Sequence, residues 1–537
     1  MKAVFLLLLL TSLSQVSFSQ CSKRYQERVF NSIQKFENVV YSQDAPALIA
    51  ATITTETTFD KDLIMDIFMP PVTDTVLDRP VVILAHGGGF INVAFMGGTR
   101  LVGTMDNEDI QALADTLAHW GYVTASIEYR LGFNVLSASS LKRAVWRGAQ
   151  DMSAAIRFFR KNATWFNIDP NKVFVGGSSA GALCALHSTF VDDTERLPES
   201  FEITPILKKD LGQLHSRPVV ALTGTSPFVG SNVLGNDVDS IPQGIAAYWG
   251  AMADLDWMHQ GNNKAPVILF HGTNDLIVPY KDGRPFSGVI LTAPEMYGSY
   301  LMDSIMTLHN MPHEFYTAQG EGHEYWGALN GDWLASGPNA YWPDMLNKTA
   351  SFFYQLMKPA APQITGVDTI AHSTNTTYAI VNPLPGYSYC WEVQNGVVVS
   401  PITNGTSVDV QFYNIAGQGY VTARAIDPAG TASEKGLAVT TISPSIAVQQ
   451  LHSQLLQLKI APNPANQVAQ LYMESQQTGL AILTLSNSLG QICQQKQVLI
   501  TTGSNTTQLD LGHLPRGMYL VKVQIEGKQL IKQLMVK

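Results

Sequence analysis

The sequence predicts an α/β domain followed by two small all-β domains, and three features of the chain support this order. Apolar runs of strand length alternate with helix-period patterns up to Lys358. A proline-rich stretch at 359–362 then interrupts the chain. Beyond it, short runs rich in Val, Thr and Tyr are separated by turn signals, and helical periodicity largely disappears. We therefore expect domains at 20–358, 359–450 and 455–537.

The first residues of the chain have the features of a signal peptide. A basic residue, Lys2, precedes the apolar run Leu6–Leu10, and small residues follow. This pattern predicts a signal peptide at 1–19 and therefore export. Lipidation of Cys21 is the alternative interpretation, but Gln20 is a poor residue before a lipidated cysteine. No later segment reaches about 18 uninterrupted apolar residues, so the sequence predicts no transmembrane segment.

The composition limits the classes of partner and cofactor. The formal net charge is −9 over 537 residues, and only 14% of residues are charged. Nucleic acid and anionic membrane surfaces attract basic proteins, so we expect neither as a partner. The four cysteines are too scattered for a dense disulfide scaffold. No His or Cys cluster has zinc-ligand spacing and no P-loop or dinucleotide fingerprint occurs, so the sequence predicts neither a metal nor an organic cofactor.

The α/β domain is predicted from apolar runs that reach strand length. These runs are Pro80–Ala85, Tyr122–Ile127, Lys172–Val175 and Pro266–Phe270. Runs that are apolar on both faces are typical of a mostly parallel sheet covered by helices on both sides. Between them, residues 147–163 repeat apolar side chains at helical spacing, which predicts a helix packed on that sheet.

A G-x-S-x-G sequence at Gly177–Gly181 makes Ser179 the candidate nucleophile. The pattern alone is weak, because glycine and serine are common. Here it follows the strand Lys172–Val175 and precedes an expected helix at Ala182–Phe190, which is the context of a nucleophile elbow. Such a turn holds the serine in strained backbone geometry, and glycines on either side leave room for it.

A second glycine motif predicts an oxyanion hole. The sequence His86-Gly87-Gly88-Gly89-Phe90 follows the strand that ends at Ala85. Glycines let backbone N–H groups approach a carbonyl oxygen without interference from side chains. We expect the N–H groups of Gly88, Gly89 and Ala180 to act as donors, and His86 to brace the loop.

The acid candidate follows the nucleophile along the chain, as the elbow motif requires. Asp275 comes just after the strand Pro266–Phe270, at the carboxyl end where catalytic groups gather in open α/β sheets. His271 lies in the same loop, and we expect it to anchor the loop.

The candidate base comes last. His323 lies on a glycine-flanked loop after the strand His313–Ala318. His313 and His309 are weaker choices, because one begins a strand and the other ends an apparent helix. Two further carboxylates near the base, Glu321 and Glu324, are rival acids, but both are closer in sequence to the histidine than the usual arrangement has it.

Together these motifs resemble the α/β-hydrolase superfamily over residues 40–355, and its carboxylesterase/lipase branch in particular. The resemblance implies two-step acyl transfer by the three candidates as nucleophile, acid and base. It also implies structural roles for Arg130 and for the pair Arg147 and Asp151. The elbow departs from common relatives at Ser178, where they carry an acidic residue, and this leaves the substrate open.

The C-terminal domains resemble accessory modules of secreted bacterial proteins. Residues 359–450 resemble immunoglobulin-like or PKD-like β-sandwiches, with Trp391 in position to fill the core. Residues 455–537 resemble the C-terminal sorting domain of type IX secretion, by a Pro-Asn-Pro opening and the strand motif at Leu514–Val523. This resemblance implies recognition by the type IX secretion machinery and a place outside a Gram-negative cell, secreted or on its outer surface.

The expected substrate is a carboxylic ester, either a small molecule or an ester linked to polysaccharide. Feruloyl or acetylxylan esters and lipids are the alternatives. The candidate pocket residues are Phe90, Phe95, Met96, Phe228 and Trp326. A hypothesis of another class is an inactive hydrolase fold that serves adhesion through the immunoglobulin-like module. The presence of both glycine motifs and all three candidate catalytic residues argues against it.

Overall fold

The structure is a computed structural model of the chain. It describes residues 23–51, 56–92, 102–191, 215, 217–224, 226–235, 237–261, 263–286, 292–371, 374–400, 405–443, 457–475, 478–488, 490–525 and 528–537. The expected signal peptide, Cys21 and the pocket candidates Phe95 and Met96 lie outside the described residues. The chain divides into two compact units, Met1–Ser443 and Pro444–Lys537.

Helices occur in the α/β part of the first unit. In the described residues they are α1 (Glu108–His119), α2 (Ala138–Lys161), α3 (Ala163–Phe166), α4 (Ala180–Phe190), α5 (Asp256–Gln260), α6 (Ser299–Leu308) and α7 (Tyr341–Met357). Within that part of the chain, none of them is long and apolar enough to cross a membrane.

The strands of the same part include every run predicted from the sequence. They are β1 (Gln34–Ala51), β2 (Glu56–Met69), β3 (Arg79–Ala85), β4 (Val123–Ile127), β5 (Ile168–Ser178), β6 (Val219–Leu222), β7 (Gly230–Val233), β8 (Gly244–Tyr248), β9 (Ala251–Met252), β10 (Val267–Gly272), β11 (Asp282–Gly283), β12 (Met296–Gly298), β13 (His313–Ala318), β14 (Ala328–Leu329) and β15 (Asp332–Trp333).

The central sheet has the strand order β1-β2-β4-β3-β5-β8-β10-β13. The pairs β1–β2 and β2–β4 are antiparallel, and every pair from β4 across to β13 is parallel. The mostly parallel sheet predicted from the apolar runs is therefore confirmed. Its parallel strands end on one edge, which brings the segments after β3, β5, β10 and β13 together.

Helices cover both faces of this sheet. Alternate residues of β3 point to opposite faces, so Val81 and Ile83 pack in the core beneath α2 and α4, while Val82 and Leu84 pack in the core beneath α1 and α7. Full burial of one such side chain contributes roughly 1.5–3 kcal/mol. The helix predicted at 147–163 begins earlier, since the side chain of Ser137 accepts a hydrogen bond from the first turn.

The antiparallel pair β1–β2 has no counterpart in the sequence prediction. Its register shifts four times, for example between Phe36 and Val39, and Asn38 and Asp44 take left-handed backbone conformations. Each bulge reverses which side chains face the core, so the strands lack the alternating pattern that would identify them.

The rest of the first unit is a β-sandwich. Its strands are β16 (Ile364–Thr365), β17 (Thr369–Ala371), β18 (Asn375–Ile380), β19 (Ser388–Gln394), β20 (Gly396–Val398), β21 (Ser407–Phe412), β22 (Gly417–Ile426) and β23 (Gly436–Ser443). They form the sheets β16-β18-β21-β20 and β17-β23-β22-β19. As the sequence predicts, Trp391 fills the core: it is 2% exposed, and its Nε1–H donates to Gly405 O at 3.1 Å.

The loop between β22 and β23 contacts the α/β part directly. Asp427 Oδ2 lies 2.8 Å from Lys172 Nζ, and Ala429 O accepts a hydrogen bond from the buried hydroxyl of Tyr25 at 2.6 Å. The hydroxyl of Tyr354, on α7, donates to Ala432 O. The proline-rich linker thus precedes a module that is packed against the α/β part.

The second unit is a smaller β-sandwich. Its strands are β24 (Gln457–Ala461), β25 (Val468–Ser475), β26 (Gly479–Asn487), β27 (Ile492–Ile500), β28 (Gly503–Asp510), β29 (Gly517–Ile525) and β30 (Lys528–Val536). They form the sheets β24-β25-β28 and β27-β26-β29-β30 around their own core. Two all-β sandwiches therefore follow the α/β part, as the sequence predicts.

Candidate active site

The turn between β5 and α4 holds Ser179 in a strained conformation. The residue has φ 53° and ψ −116°, which a non-glycine residue rarely adopts. Its N–H donates to Tyr248 O at 2.9 Å, so the sheet itself fixes the turn. The strain raises the side chain above the edge of the sheet, at the amino end of α4.

The two glycines of the elbow are required by close packing. A Cβ at Gly181 would lie 2.0 Å from Ala85 O, and one at Gly177 would lie 2.6 Å from the same oxygen. Real Cβ atoms do not approach so closely, so any larger residue would push the elbow away from β3. The motif thus holds the loop after β3 against the start of α4.

Three candidate residues from separate strand ends form one hydrogen-bonded chain. Ser179 Oγ lies 3.0 Å from Nε2 of His323, and Nδ1 of His323 lies 2.6 Å from Oδ2 of Asp275. In this arrangement the imidazole donates from Nδ1 to the carboxylate and accepts from the serine hydroxyl at Nε2. The rival acids Glu321 and Glu324 do not occupy the place at Nδ1.

The carboxylate of Asp275 is held on both oxygens. Oδ1 accepts hydrogen bonds from the N–H groups of Ile277 at 2.8 Å and Val278 at 3.0 Å. Burial raises the pKa of Asp275, but the hydrogen bonds from His271 and His323 outweigh it and hold the pKa well below its usual value. The group is therefore a fixed negative charge next to the imidazole.

His271 lies behind the acid and braces its loop. It is fully buried, with Nδ1 2.8 Å from Ser299 Oγ and Nε2 3.2 Å from Val278 O. Nε2 also lies 3.3 Å from Asp275 Oδ2, the oxygen that His323 contacts. These contacts match the anchoring role expected from the sequence.

The glycine loop after β3 takes the conformation that its sequence suggests. Gly88 and Gly89 have φ values of 101° and 61°, and a Cβ on Gly88 would lie 2.3 Å from the backbone N of Gly103. His86 is buried beneath the loop, where its ring stacks on Tyr129 at 4.4 Å between centroids. Burial lowers the pKa of His86, so it supports the loop as a neutral ring.

A cavity opens beside Ser179. Gly89 and Ala180 lie in its wall, so two of the three expected oxyanion donors border the same space as the nucleophile. The cavity is lined by Gly89, Phe90, Leu141, Lys142, Val145, Trp146, Ser179, Ala180, Leu183, His187, Val191, Ala253, Trp257, Val278, Pro285, Phe286, Pro294 and Met296. This lining is almost entirely apolar.

Of the described pocket candidates, only Phe90 lies in this wall. Trp326 is 1% exposed and packs on Trp249, in the core on the α1/α7 side of the sheet. Phe228 is 59% exposed and does not border the cavity. Trp326 follows His323 by only three residues. Its side chain nevertheless packs in the core and not in the cavity wall.

Most residues of the cavity wall were not predicted from the sequence. Leu183 and His187 follow Ser179 by four and eight residues on α4, and helical spacing could have identified them. Val145 on α2 precedes the helix that the sequence predicts at 147–163. The segment from Pro285 to Met296 carries no local signal of its position.

His187 contributes a neutral ring to the cavity wall. Its Nδ1 donates to Leu183 O at 2.8 Å, and its Nε2 accepts from the N–H of Ala253 at 3.1 Å. Burial lowers the pKa of His187 to about 4. The ring therefore adds no charge to the cavity near neutral pH.

A buried ion pair lies under the loop after β4. Arg130 pairs with Asp151 at 2.8 Å, and both side chains are fully buried. Arg130 Nη2–H also donates to the backbone oxygen of Arg147. The structural roles expected of these residues fit the contacts.

Among the residues that the structure describes, no group of His, Cys, Asp and Glu is arranged to hold a metal ion.

Residues 65–289 match the BD-FAE family model, and residues 459–537 match the model of the Secretion system C-terminal sorting domain. Among curated relatives, carboxylesterase 3B of Mus musculus is 34% identical over 122 residues, which is 22% of this chain and 19% of that protein. A probable isoprenylcysteine alpha-carbonyl methylesterase of Arabidopsis thaliana is 23% identical over 237 residues, 43% of this chain and 50% of that protein.

The chain spans only 19% and 21% of the length of the carboxylesterase and of a juvenile hormone esterase from Heliothis virescens. Among solved structures, propionate-bound esterase 2 of Thermogutta terrifontis aligns with a TM-score of 0.35 and 17% identity, over 55% of this chain and 90% of that one. The sorting domain marks the chain for secretion or the cell surface. The chain thus carries an α/β-hydrolase domain of the BD-FAE family and a type IX secretion C-terminal sorting domain.

Proposed function

We propose that the chain is a secreted serine hydrolase of carboxylic esters. Ser179 is the nucleophile, His323 the general base and Asp275 the acid that orients it. The observation that carries this proposal is the hydrogen-bonded chain from Ser179 Oγ through the imidazole to Asp275, at 3.0 and 2.6 Å. Such a chain activates a serine that is otherwise a weak nucleophile.

In the acylation step, Ser179 Oγ attacks the ester carbonyl while His323 Nε2 takes its proton. The imidazolium that forms is stabilised by the negative charge of Asp275. The carbonyl oxygen becomes an oxyanion, and the N–H groups of Gly88, Gly89 and Ala180 are the proposed donors to it. The imidazolium then returns the proton to the leaving alcohol as the C–O bond breaks.

Deacylation repeats these steps with water. His323 removes a proton from a water molecule that attacks the acyl-enzyme, and the second oxyanion occupies the same site. The carboxylic acid leaves, and Ser179 regains its proton. The chain's own residues supply every proton transfer in this sequence.

The cavity beside Ser179 supports a bulky apolar acyl group. Its wall is almost entirely apolar and is built by residues from Leu141 on α2 to Met296, more than a methyl group could contact. An acetyl group, as in acetylxylan, would leave most of that apolar wall unburied. We therefore place aromatic acyl groups such as feruloyl, and alkyl chains of several carbons, ahead of acetyl esters. The ester can be a free small molecule or linked to polysaccharide.

The sorting domain supports an extracellular substrate. Residues 455–537 are the proposed sorting signal that the type IX secretion machinery recognises. That machinery is then a partner of the chain during export. The proposed catalytic residues all belong to the first unit, whereas the sorting domain forms the second unit.

Hydrolysis of p-nitrophenyl esters by the purified full-length protein tests the proposal. We expect turnover of wild type and a loss of about 10⁴-fold or more in kcat for Ser179→Ala. Ser188→Ala is the matched control, because among the described residues its hydroxyl bonds to Ala185 O within α4 and not to the candidate catalytic residues. A fluorophosphonate should label Ser179, as peptide mass mapping would reveal.

Two results would contradict the proposal. Labelling at Ser178 would mean a different nucleophile. Absence of both turnover and labelling, in a folded protein, would favour the inactive adhesion hypothesis. A panel from acetate to octanoate together with methyl ferulate then ranks the acyl groups.

A further inference from the structure

Glu324 places a buried carboxyl group directly after the proposed base. The residue has φ 51°, in the left-handed region, and is 5% exposed. Its side chain is buried, while Nε2 of the preceding His323 lies 3.0 Å from Ser179 Oγ. A strained residue with a buried acidic side chain is costly unless its surroundings hold it there.

The carboxyl group reaches the loop that carries the proposed oxyanion donors. Glu324 Oε1 lies 3.5 Å from the point that a Cβ on Gly87 would occupy, and Ser178 Oγ lies 3.2 Å from the same point. Gly87 directly precedes the proposed donors, and Ser178 directly precedes the proposed nucleophile. Glu324 therefore lies where the base loop, the glycine loop and the elbow meet.

A tight turn holds this carboxyl group from the other side. The backbone N–H groups of Asn330 and Gly331 hydrogen-bond to it. That turn is tied to the start of α1, since Asn107 Nδ2–H donates to Asn330 O at 2.8 Å and the N–H of Asp109 donates to Gly331 O at 2.9 Å. The position of Glu324 is thus fixed by elements outside the catalytic loops.

The charged groups around Glu324 are His323, Asp275 and Asp109. Burial raises the pKa of Glu324, and Asp275 adds to that rise, while a protonated His323 and the two backbone N–H groups lower it. Burial, followed by the field of Glu324, raises the pKa of Asp109 well above its usual value. The attraction between Glu324 and the imidazolium is reciprocal, because each charge favours the other.

We propose that Glu324 is a positioning residue for the ester hydrolysis proposed above: its carboxylate stabilises the imidazolium of His323 and holds the base loop against Gly87. Asp275 acts on the imidazole through a direct hydrogen bond, whereas Glu324 acts through its field and through the loop. The inference rests on the proposed function and adds a second carboxylate to it.

The pH profile of kcat/KM for p-nitrophenyl butyrate tests this role in the full-length protein. Glu324→Gln removes the charge and keeps the shape. We expect the acid limb of the profile to move to lower pH by roughly one unit in this variant, because the field that favours the charged ring is gone. The imidazolium that forms in the transition state also loses the stabilisation by this carboxylate, so kcat should fall roughly tenfold. Glu321→Gln, on the same loop, should leave the limb in place.

Each outcome decides the proposal. An acid limb that does not move, with kcat/KM lower by the same factor at every pH, would mean a purely structural role and overturn it. If Glu324→Gln does not fold by circular dichroism, Glu324→Asp and Glu324→Asn give the same comparison, since they differ only in charge. Failure of the wild type to hydrolyse esters or to be labelled at Ser179 would instead overturn the proposed function.

Discussion

Nδ1 of His323 and Oδ2 of Asp275 are 2.6 Å apart, and the other oxygen of this carboxylate is held by two backbone N–H groups. The carboxylate of Asp275 is therefore held in place independently of its contact with the imidazole. Because the carboxylate cannot turn away, it selects the tautomer of His323 that carries its proton on Nδ1. Nε2 is then free to accept the proton of Ser179.

Asp275→Asn tests this relationship. An amide can present its NH₂ group to Nδ1, which favours the wrong tautomer and offers no charge to the imidazolium. We expect kcat to fall by about 10⁴-fold with a much smaller change in KM. Glu321→Gln is the matched control, because Glu321 bonds to Tyr341 and not to the base. Steady-state kinetics on one p-nitrophenyl ester would measure both, and a greater loss in the control would identify another acid.

A larger side chain in the cavity should change which acyl groups are accepted. Val145, on α2, is 8% exposed and lines the cavity beside Ser179. We expect Val145→Phe to lower kcat/KM for p-nitrophenyl octanoate at least tenfold relative to acetate, because lost space penalises only the longer chain. Leu136→Phe is the control, since Leu136 is 67% exposed. An unchanged octanoate-to-acetate ratio would mean that the acyl group binds elsewhere.

The arrangement of the candidate catalytic motifs could be predicted from the sequence because their constraints are local. The elbow at Ser179 needs glycines within two residues on each side, and the glycine loop needs small residues in succession. Asp275 and His323 could be predicted from order and strand ends alone, since parallel strands bring their carboxyl ends together.

The cavity and the contacts of Glu324 depend on segments far apart in the chain. Met296 and Val145 meet only after the sheet has formed, and nothing in either segment indicates the other. Trp326 shows the converse: it is close to His323 in sequence and was expected in the pocket, but its side chain packs in the core. Sequence patterns therefore predict which candidate catalytic residues meet better than which residues line the cavity beside them.

The buried imidazole of His187 should make stability depend on pH. Burial lowers its pKa to about 4 in the folded state, against about 6.5 in an unfolded chain. Its contribution is therefore complete above about pH 6.5 and is lost as the pH falls towards 4, because only the unfolded state takes up the proton there. The loss amounts to about 3 kcal/mol. Urea unfolding at pH 7 and pH 4.5 measures about 2 kcal/mol of it, because the rest is lost only below pH 4.5.

His187→Gln supplies the comparison for this effect. The amide can still bond to Leu183 O and to the N–H of Ala253, but it does not titrate. We expect the difference in unfolding free energy between the two pH values to shrink in the variant. An equal difference in both proteins would assign the pH dependence to other groups.

The packing of the β-sandwich on the α/β part predicts how the chain tolerates shortening. The linker sequence at 359–362 suggests that the α/β domain closes on itself. The contacts of Tyr25 and Tyr354 with the β22–β23 loop indicate instead that the sandwich covers part of it. A chain ending at Ser443 should keep the melting temperature of the first unit, whereas one ending at Lys358 should melt several degrees lower.

The ion pair between Lys172 and Asp427 tests the same packing in the full-length protein. Asp427 is only 5% exposed along its side chain, so Lys172→Met leaves a buried carboxylate without its cation. We expect a loss of about 2 kcal/mol in the unfolding free energy, below the value for a fully buried pair because Thr431 N–H still donates to Asp427. Lys161→Met is the matched control: its pair with Asp237 is equally short, but that partner is 64% exposed, so stability should scarcely change. Equal losses from the two substitutions would mean that this ion pair adds nothing to the packing of the sandwich on the α/β part.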